Sequence, residues 1–347
     1  MPGYERTIDQ QVGTWGTFAQ VEWQPVKRLT VLAGGRLDQL FINGQYDLAA
    51  DNFTNDRNLT VLVPRLNAMY QLTERIKLRA AFAQGYRAPQ AFDEDLHIET
   101  VGGAARFIRL DPDLTTERSN SYTVSANYTQ TTGRIQTDIV VEGFYTQLQN
   151  PFILSNQTEL PSGVAVITKR NGAGAQVSGL NVEANLALGS TWIFQLGGTL
   201  QTATYDETEV IWEPETPSDE RPVVATDRIV RTPNTYGFYS ITWNGTERFS
   251  TILSGIYTGS MVVPHIIDPT DEYTILEETP AFFEQNLKLT YDLPIAEEYV
   301  VQLFGGVQNL FNSFQDNFDV GPDRDAGFVF GPSRPRTFYG GLKLRWR

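Results

Sequence analysis

The sequence predicts an all-β protein, a transmembrane antiparallel β-barrel, and two observations lead to this prediction. Apolar and polar residues alternate with a period of two over segments of about 10 to 15 residues, whereas a globular strand usually has about five or six. Short turns also alternate with long polar connections along the chain. Strands of about 9 to 11 residues cross a bilayer, and outer-membrane barrels have short turns on one side and long loops on the other.

The alternation is clearest in the segment 176–188, where Leu180, Val182 and Ala184 are separated by Asn181 and Glu183. It is found again in the segments 76–82, 122–129, 192–201, 287–291 and 338–346. Each of these strands therefore has an apolar face for lipid and a polar face for a wet lumen. Because lipid cannot satisfy backbone N–H and C=O groups, such a sheet must close on itself.

The connections set the strand count and the expected domain organisation. Short turns are predicted at residues 25–27, 72–75, 131–133, 189–190, 244–247 and 294–298. Long loops are predicted at residues 43–59, 86–118, 150–176, 206–233, 264–279 and 312–335. This order gives about thirteen strands, whereas single-chain bacterial barrels have an even number. We therefore expect residues 1–347 to form the C-terminal part of a larger barrel whose early strands lie outside this sequence.

Composition and aromatic placement limit the location and the partners. The 27 basic and 41 acidic residues give a net charge of −14, which argues against a nucleic-acid partner. Aromatic residues recur near predicted strand ends, among them Trp192, Trp243 and Trp346, where amphipathic rings meet lipid headgroups. We therefore expect a bacterial outer-membrane protein in contact with lipid and lipopolysaccharide.

Catalytic and cofactor chemistry is not indicated by the residues present. The chain has no Cys, which excludes disulfides, iron–sulfur clusters and thiol catalysis. It has two histidines, His97 and His265, both in predicted loops. Neither a nucleophile elbow nor a phosphate-binding or dinucleotide motif occurs in the sequence. We expect no enzymatic activity, no catalytic residue and no cofactor.

Five short motifs, spread over the whole chain, carry a family resemblance. They occupy residues 35–38 (GRLD), 81–89 (AFAQGYRAP), 92–97 together with 110–117, 307–312 (VQNLFN) and 332–342 (PSRPRTFYGGL). In this order they resemble the barrel of TonB-dependent outer-membrane receptors of the siderophore and colicin-receptor type, in particular Bacteroidetes-type receptors. The resemblance covers only later barrel strands, because no segment is similar to the family's N-terminal plug domain. It implies a barrel of about 22 strands.

The resemblance also implies a function. A receptor of this family would take up a scarce nutrient, foremost a ferric siderophore or a related metal chelate, through a lumen that the plug blocks. Energy would come from the TonB–ExbB–ExbD complex acting on the N-terminal part, and a surface lipoprotein is a further expected partner. Haem, cobalamin, another metal or a glycan stay open as ligands. The alternative is a passive or structural barrel completed by another polypeptide.

Candidate ligand-binding residues lie in the predicted extracellular loops: Arg87, Asp93, Glu94, Asp95, His97, Arg106 and Arg109. The three arginines offer charge-assisted hydrogen bonds to an anionic ferric chelate, or they form structural ion pairs. The acidic residues with His97 offer oxygen and imidazole groups to a cation, or they form a solvated loop that packs on the plug. No metal is expected to be resident in the protein.

Other polar residues have predicted structural roles. Lys77, Asp138, Glu142 and Glu183 are expected to line a polar wall that faces the plug. Asn309 and Asn312 favour a turn because asparagine side chains bond their own backbone and tolerate left-handed conformations. Pro89, which lacks a backbone donor, is expected to mark the point where its strand leaves the sheet.

Overall fold

The computed structural model describes residues 6–48, 51–90, 107–154, 158–159, 165–214, 221–268, 273–321 and 324–346. Among these residues there is no helix of the length and apolarity needed to cross a membrane. The strands are β1 (Arg6–Val26), β2 (Leu29–Leu48), β3 (Asp51–Gln71), β4 (Ile76–Arg87), β5 (Phe107–Leu110), β6 (Glu117–Thr132), β7 (Ile135–Gln149), β8 (Phe152–Leu154), β9 (Thr158–Glu159), β10 (Ala165–Asn171), β11 (Ala175–Leu188), β12 (Trp192–Trp212), β13 (Val224–Arg228), β14 (Thr235–Asn244), β15 (Phe249–Thr258), β16 (Val262–Asp268), β17 (Tyr273–Glu278), β18 (Phe282–Pro294), β19 (Tyr299–Gln308) and β20 (Thr337–Trp346).

One large antiparallel sheet contains fourteen of these strands. Its order is β1-β2-β3-β4-β6-β7-β11-β12-β14-β15-β18-β19-β20, with β13 paired to β12 beside this path. Thirteen strands therefore follow one meander, which confirms the predicted fold class and strand count. Within the described residues β1 and β20 lie at the two ends of the path and do not pair with each other. The remaining strands form two small sheets in the long connections.

The two faces of the large sheet differ in polarity as predicted. Large apolar side chains on one face are exposed, as a lipid-contacting surface requires, and include Leu37, Leu62, Leu66, Leu78, Leu196, Leu200, Leu289, Leu342 and Leu344. On the opposite face, Asn127 Nδ2 donates to Asp138 Oδ2 at 3.3 Å. Asn181 likewise donates to Glu142 at 3.2 Å and accepts from Thr199 at 2.8 Å. These cross-strand bonds form the polar wall expected of a lumen.

Aromatic rings gather at the side of the sheet that carries the short turns. The rings of Trp192 and Trp243 stack with centroids 5.9 Å apart, and Phe249 meets Trp243 edge-on at 6.0 Å. Tyr299 and Trp346 form a similar pair at 5.2 Å. Each of these residues lies at or next to a strand end. Their positions match a belt at the depth of the lipid headgroups.

The segment 43–59, predicted to be a long loop, is instead the upper part of a hairpin. The β2–β3 ladder continues without interruption to the pair Leu48–Asp51. One face of this extension is buried, with Tyr46 fully covered, but residues 54–58 of β3 are all polar, so the apolar–polar alternation is lost on that strand although the backbone stays paired. Hydropathy therefore located the membrane-crossing part of these strands and missed their extension.

The NLFN motif closes β19 through its two asparagines, as predicted. Asn309 and Asn312 adopt φ of 50° and 56°, in the left-handed region where asparagine is tolerated. The buried Asn309 side chain donates to the main-chain oxygens of Ser313 and Arg334 and accepts from Ser313 N, at 2.8–3.0 Å. It therefore fixes both ends of the long β19–β20 loop to the same strand end.

Replacing Asn309 with alanine tests this closure. Asn309→Ala removes three side-chain hydrogen bonds and leaves an unfavourable φ, so we expect a loss of about 2–4 kcal/mol in the free energy of unfolding. Denaturant unfolding in detergent micelles measures it. Asn309→Gly loses the same bonds without the backbone strain, and its effect should be smaller. Equal stabilities for the wild type and Asn309→Ala would contradict the assignment.

Candidate functional site

The long connections build an ordered layer above the large sheet. Strands β5, β8, β9 and β10 form a second sheet, in which β5 runs parallel to β10 and the other two run antiparallel to it. Its strands come from two different connections, β4 to β6 and β7 to β11. Leu110, Val166 and Lys169 are buried within it. Two loops that are separate in sequence therefore act as one unit, which we call the loop sheet.

Arg57 of β3 ties the loop sheet to the barrel wall. Its guanidinium donates to the main-chain oxygens of Asp111 and Pro112, both at 2.5 Å, and to that of Leu114. A planar guanidinium with five donors suits such a set of converging carbonyl groups. The turn that carries these oxygens is itself closed by a bond from Leu114 N to Asp111 O at 3.0 Å. The exit of β5 is thus held in one position.

Arg87, a candidate ligand residue, lies in an ion pair at the junction of β4 and the loop sheet. Its Nη2 is 2.9 Å from Glu117 Oε2, and the same oxygen accepts a bond from Phe152 N at 3.0 Å. The guanidinium also lies 4.8 Å from the centre of the Phe152 ring. Arg87 therefore forms a structural ion pair, which was the alternative to a ligand contact in the sequence analysis. Its contact with a ligand stays a prediction.

Arg109, another candidate, has few partners. It lies on β5 opposite Thr168 of β10, and its Nη2 donates to Thr168 Oγ1 at 3.4 Å. Its Nε is buried and has no hydrogen-bond partner in the part of the chain that the structure describes. Burying a cationic donor without an acceptor is costly, so this guanidinium is suited to receive an anion.

The other candidate residues, Asp93, Glu94, Asp95, His97 and Arg106, lie outside the described residues. Their placement relative to Arg87 and Arg109 therefore stays a prediction. Across the described ranges no group of three or more histidine, aspartate or glutamate side chains is arranged to hold a metal ion.

Two of the sequence motifs contact each other, which was not predicted. Asp38, in the GRLD motif of β2, is almost fully buried and accepts a bond from Arg36 Nε at 2.6 Å. Tyr86, in the motif at the end of β4, donates its hydroxyl to the other Asp38 oxygen at 2.7 Å. Gly16 lies opposite Asp38 on β1, where a Cβ would come within 2.5 Å of Oδ1. The sequence marked both motifs, but only the strand register brings them together.

A second cluster, also missed from sequence, surrounds His265 on the β16–β17 hairpin. Its Nδ1 is 2.5 Å from Glu277 Oε1 on β17, and its Nε2 is 3.1 Å from Asp319 Oδ2 in the β19–β20 loop. The ring stacks on Phe328 of that loop with centroids 3.7 Å apart. Burial lowers the pKa of His265, but the bonds to Glu277 and Asp319 outweigh it and leave the pKa above its ordinary value.

Sequence comparison identifies the family of this loop-bearing barrel. The family described as TonB dependent receptor-like, β-barrel, matches residues 2–310, so the chain belongs to it. This confirms the predicted family and the predicted location, because these barrels are outer-membrane proteins. The family consists of receptors rather than enzymes. A comparison with functionally characterised proteins finds no match to this sequence.

Structural comparison places the chain beside solved receptors of the same architecture. The ferric-catecholate import receptor Fiu of Escherichia coli K12 is 17% identical with a TM-score of 0.66, over 98% of this chain and 45% of that receptor. The ferric yersiniabactin uptake receptor FyuA of Yersinia pestis is 15% identical with a TM-score of 0.67, over 99% and 47%. The siderophore receptor PiuA of Acinetobacter baumannii is 11% identical with a TM-score of 0.70, over 98% and 44%. The chain thus spans less than half the length of these receptors, and the likeness establishes its fold.

The Tyr86–Asp38 contact gives a testable consequence for stability. Tyr86→Phe removes a hydrogen bond to a buried carboxylate, so we expect a loss of about 1–2 kcal/mol in the free energy of unfolding in detergent. Tyr122→Phe is the matched control, because the Tyr122 ring packs against Phe82 while its hydroxyl makes no hydrogen bond with the described residues. Equal effects of the two substitutions would show that the contact does not stabilise the sheet.

Proposed function

We propose that this chain is the C-terminal barrel part of a TonB-dependent receptor that imports an anionic metal chelate, foremost a ferric siderophore. Its family membership carries the proposal, because the matching family is that of TonB-dependent receptor barrels. The three solved receptors named above are described as importing or receiving ferric chelates or siderophores. Energy would reach the receptor from the TonB–ExbB–ExbD complex. Outer-membrane lipid and lipopolysaccharide would surround the barrel, and a surface lipoprotein is a further candidate partner.

The domain organisation that this function requires extends beyond residues 1–347. The chain corresponds to 44–47% of the three receptors, and the thirteen-strand path has β1 and β20 at its ends. We propose that a plug domain and further strands on the same polypeptide complete the barrel. On the alternative, a passive or structural barrel would be completed by a separate polypeptide.

The denatured mass of the polypeptide in purified outer membranes distinguishes these arrangements. Peptides from this sequence identify the band or ion, and we expect a mass well above 38.9 kDa. A mass near 38.9 kDa would contradict the single-polypeptide proposal and direct attention to a partner chain. Deletion of the whole gene in a strain without a redundant receptor then tests uptake itself, since iron-chelate uptake that survives the deletion excludes the import function.

Arg109 supports an anionic ligand within this function. Ferric siderophore complexes often carry negative charge, and a guanidinium binds such oxygens through charge-assisted hydrogen bonds. Bound ligand oxygens would supply the acceptor that Arg109 Nε lacks among the described residues. Arg87 and Arg106, and the loop Asp93, Glu94, Asp95 and His97, are proposed to contribute from the same connection.

Substitution of Arg109 tests the ligand class. We expect Arg109→Ala to weaken binding of radiolabelled ferric catecholate or hydroxamate chelates by about tenfold or more, because a bond to a charged group is lost. Arg109→Lys keeps the charge without the planar fork and should lose less. The control is Arg248→Gln, an exposed residue in the short turn between β14 and β15. Unchanged chelate binding in Arg109→Ala, or strong binding of haem, cobalamin or a glycan instead, would overturn the assignment.

A further inference from the structure

The described part of the β19–β20 loop has no regular strand, yet it is internally well tied. Gln315 is buried, and its Nε2 donates to Phe328 O at 3.0 Å. Its Oε1 accepts from Phe330 N at 2.8 Å and Gly331 N at 3.1 Å. One amide therefore clamps the outgoing arm of the loop to the returning arm. The clamp uses only groups of the loop itself, and Arg231 of the β13–β14 connection also holds the returning arm by donating to Gly327 O at 2.7 Å and Val329 O at 3.1 Å.

The returning arm packs on the β16–β17 hairpin through a small apolar core. Met261, Val263 and Phe328 are buried together, and Phe330 packs against them. Phe328 and Phe330 meet edge-on with centroids 5.0 Å apart. This cluster is smaller than the core of a soluble domain. The polar contacts at its border therefore contribute a substantial part of the stability of the docked loop.

His265 is the polar residue at that border. One ring nitrogen faces Glu277 of the hairpin and the other faces Asp319 of the loop, while the ring stacks on Phe328. Asp319 Oδ2 also accepts from Asp325 N at 3.1 Å, and Asp325 Oδ2 accepts from Ile266 N at 3.0 Å. The charged groups that face the imidazole are therefore two carboxylates, one from the hairpin and one from the loop, with Asp325 beside them.

The protonation state of the imidazole follows from this geometry. A carboxylate can only accept a hydrogen bond. A ring nitrogen of His265 must therefore carry a proton for its contact with a carboxylate to be a hydrogen bond. Neutral imidazole has one N–H and can satisfy either Glu277 or Asp319, but not both. When it is neutral, a lone pair faces a carboxylate on one side. Both contacts are favourable only when His265 is a cation.

We propose that His265 is a proton-dependent latch that holds the β19–β20 loop on the β16–β17 hairpin and releases it when the imidazole loses its proton. The long connections of outer-membrane barrels lie on the extracellular side, so release of this loop would alter the outer surface of the receptor. The latch is independent of the ligand's identity and of the role of Arg109.

The direction of the pH dependence follows from the raised pKa of His265. Burial lowers this pKa and the two carboxylates raise it more, so the folded value lies above the reference value of 6.5. Docking is therefore fully stabilised below about pH 6.5, and the contribution is lost as the pH rises through the folded value. The loop should be closed in mildly acidic medium and looser in mildly alkaline medium.

Hydrogen–deuterium exchange of the purified full-length protein in detergent tests the latch. Exchange is compared at about pH 5.5 and about pH 8.5 after correction for the intrinsic chemical rate, which brackets the range in which histidine titrates. We expect the protection of residues 313–321 and 324–331 to fall at the higher pH. The fall should be about tenfold for each pH unit by which docking of the loop raises the pKa of His265. Peptides of the 111–114 turn, held by Arg57, serve as an internal reference with constant protection.

Two variants connect the effect to the named contacts. His265→Gln cannot take up a proton, so its loop protection should be the same at both pH values. Asp319→Asn keeps the shape of the loop residue and removes the charge, so the pH dependence of loop protection should shrink. If His265→Gln also changes the exchange of the reference peptides, Asp319→Asn provides the test instead. Equal wild-type protection at both pH values, or an unchanged pH dependence in Asp319→Asn, would overturn the proposal.

Discussion

The need to pair every backbone N–H and C=O group inside lipid governs the whole structure. A bilayer offers no hydrogen-bond partner, so strands must lie side by side in a continuous ladder, and the thirteen-strand meander is the result. Apolar side chains can then face lipid while amides and carboxylates bond across the other face. Outside the hydrocarbon that demand ends, and there β5, β8, β9, β10, β16 and β17 form small sheets apart from the large one.

The membrane-crossing fold was predictable because the residues of each strand alternate between an apolar face for lipid and a polar face for the lumen. Leucines and polar residues alternate in β11, and the short turns between neighbouring strands leave little freedom in topology. The upper ends of β2 and β3 were missed, because residues 54–58 of β3 are all polar and give hydropathy no alternation to detect. Asn309 and Asn312 show the opposite case, in which a local conformational preference survives in a long loop.

The candidate site was predictable only in part, because its contacts join residues far apart in sequence. Arg109 was singled out by its charge, but the burial of its Nε depends on β10, some sixty positions later. The meeting of Tyr86 with Asp38, and of His265 with Asp319, requires a register that no local pattern specifies. Asp93, Glu94, Asp95, His97 and Arg106 lie beyond the described residues and stay predictions.

The grip of Arg57 on the loop sheet has a consequence for how such a surface can evolve. The three oxygens that Arg57 binds belong to the main chain, and every amino acid supplies one. The exposed residue at position 112 can therefore be exchanged while the anchor is retained, whereas the buried Leu114 and the Asp111 side chain, which accepts from Asp113 N at 2.8 Å, are constrained. New ligands, phages or antibodies can select changes in the exposed side chains of this turn without moving its backbone. The sequence of the turn can therefore vary while its position stays fixed.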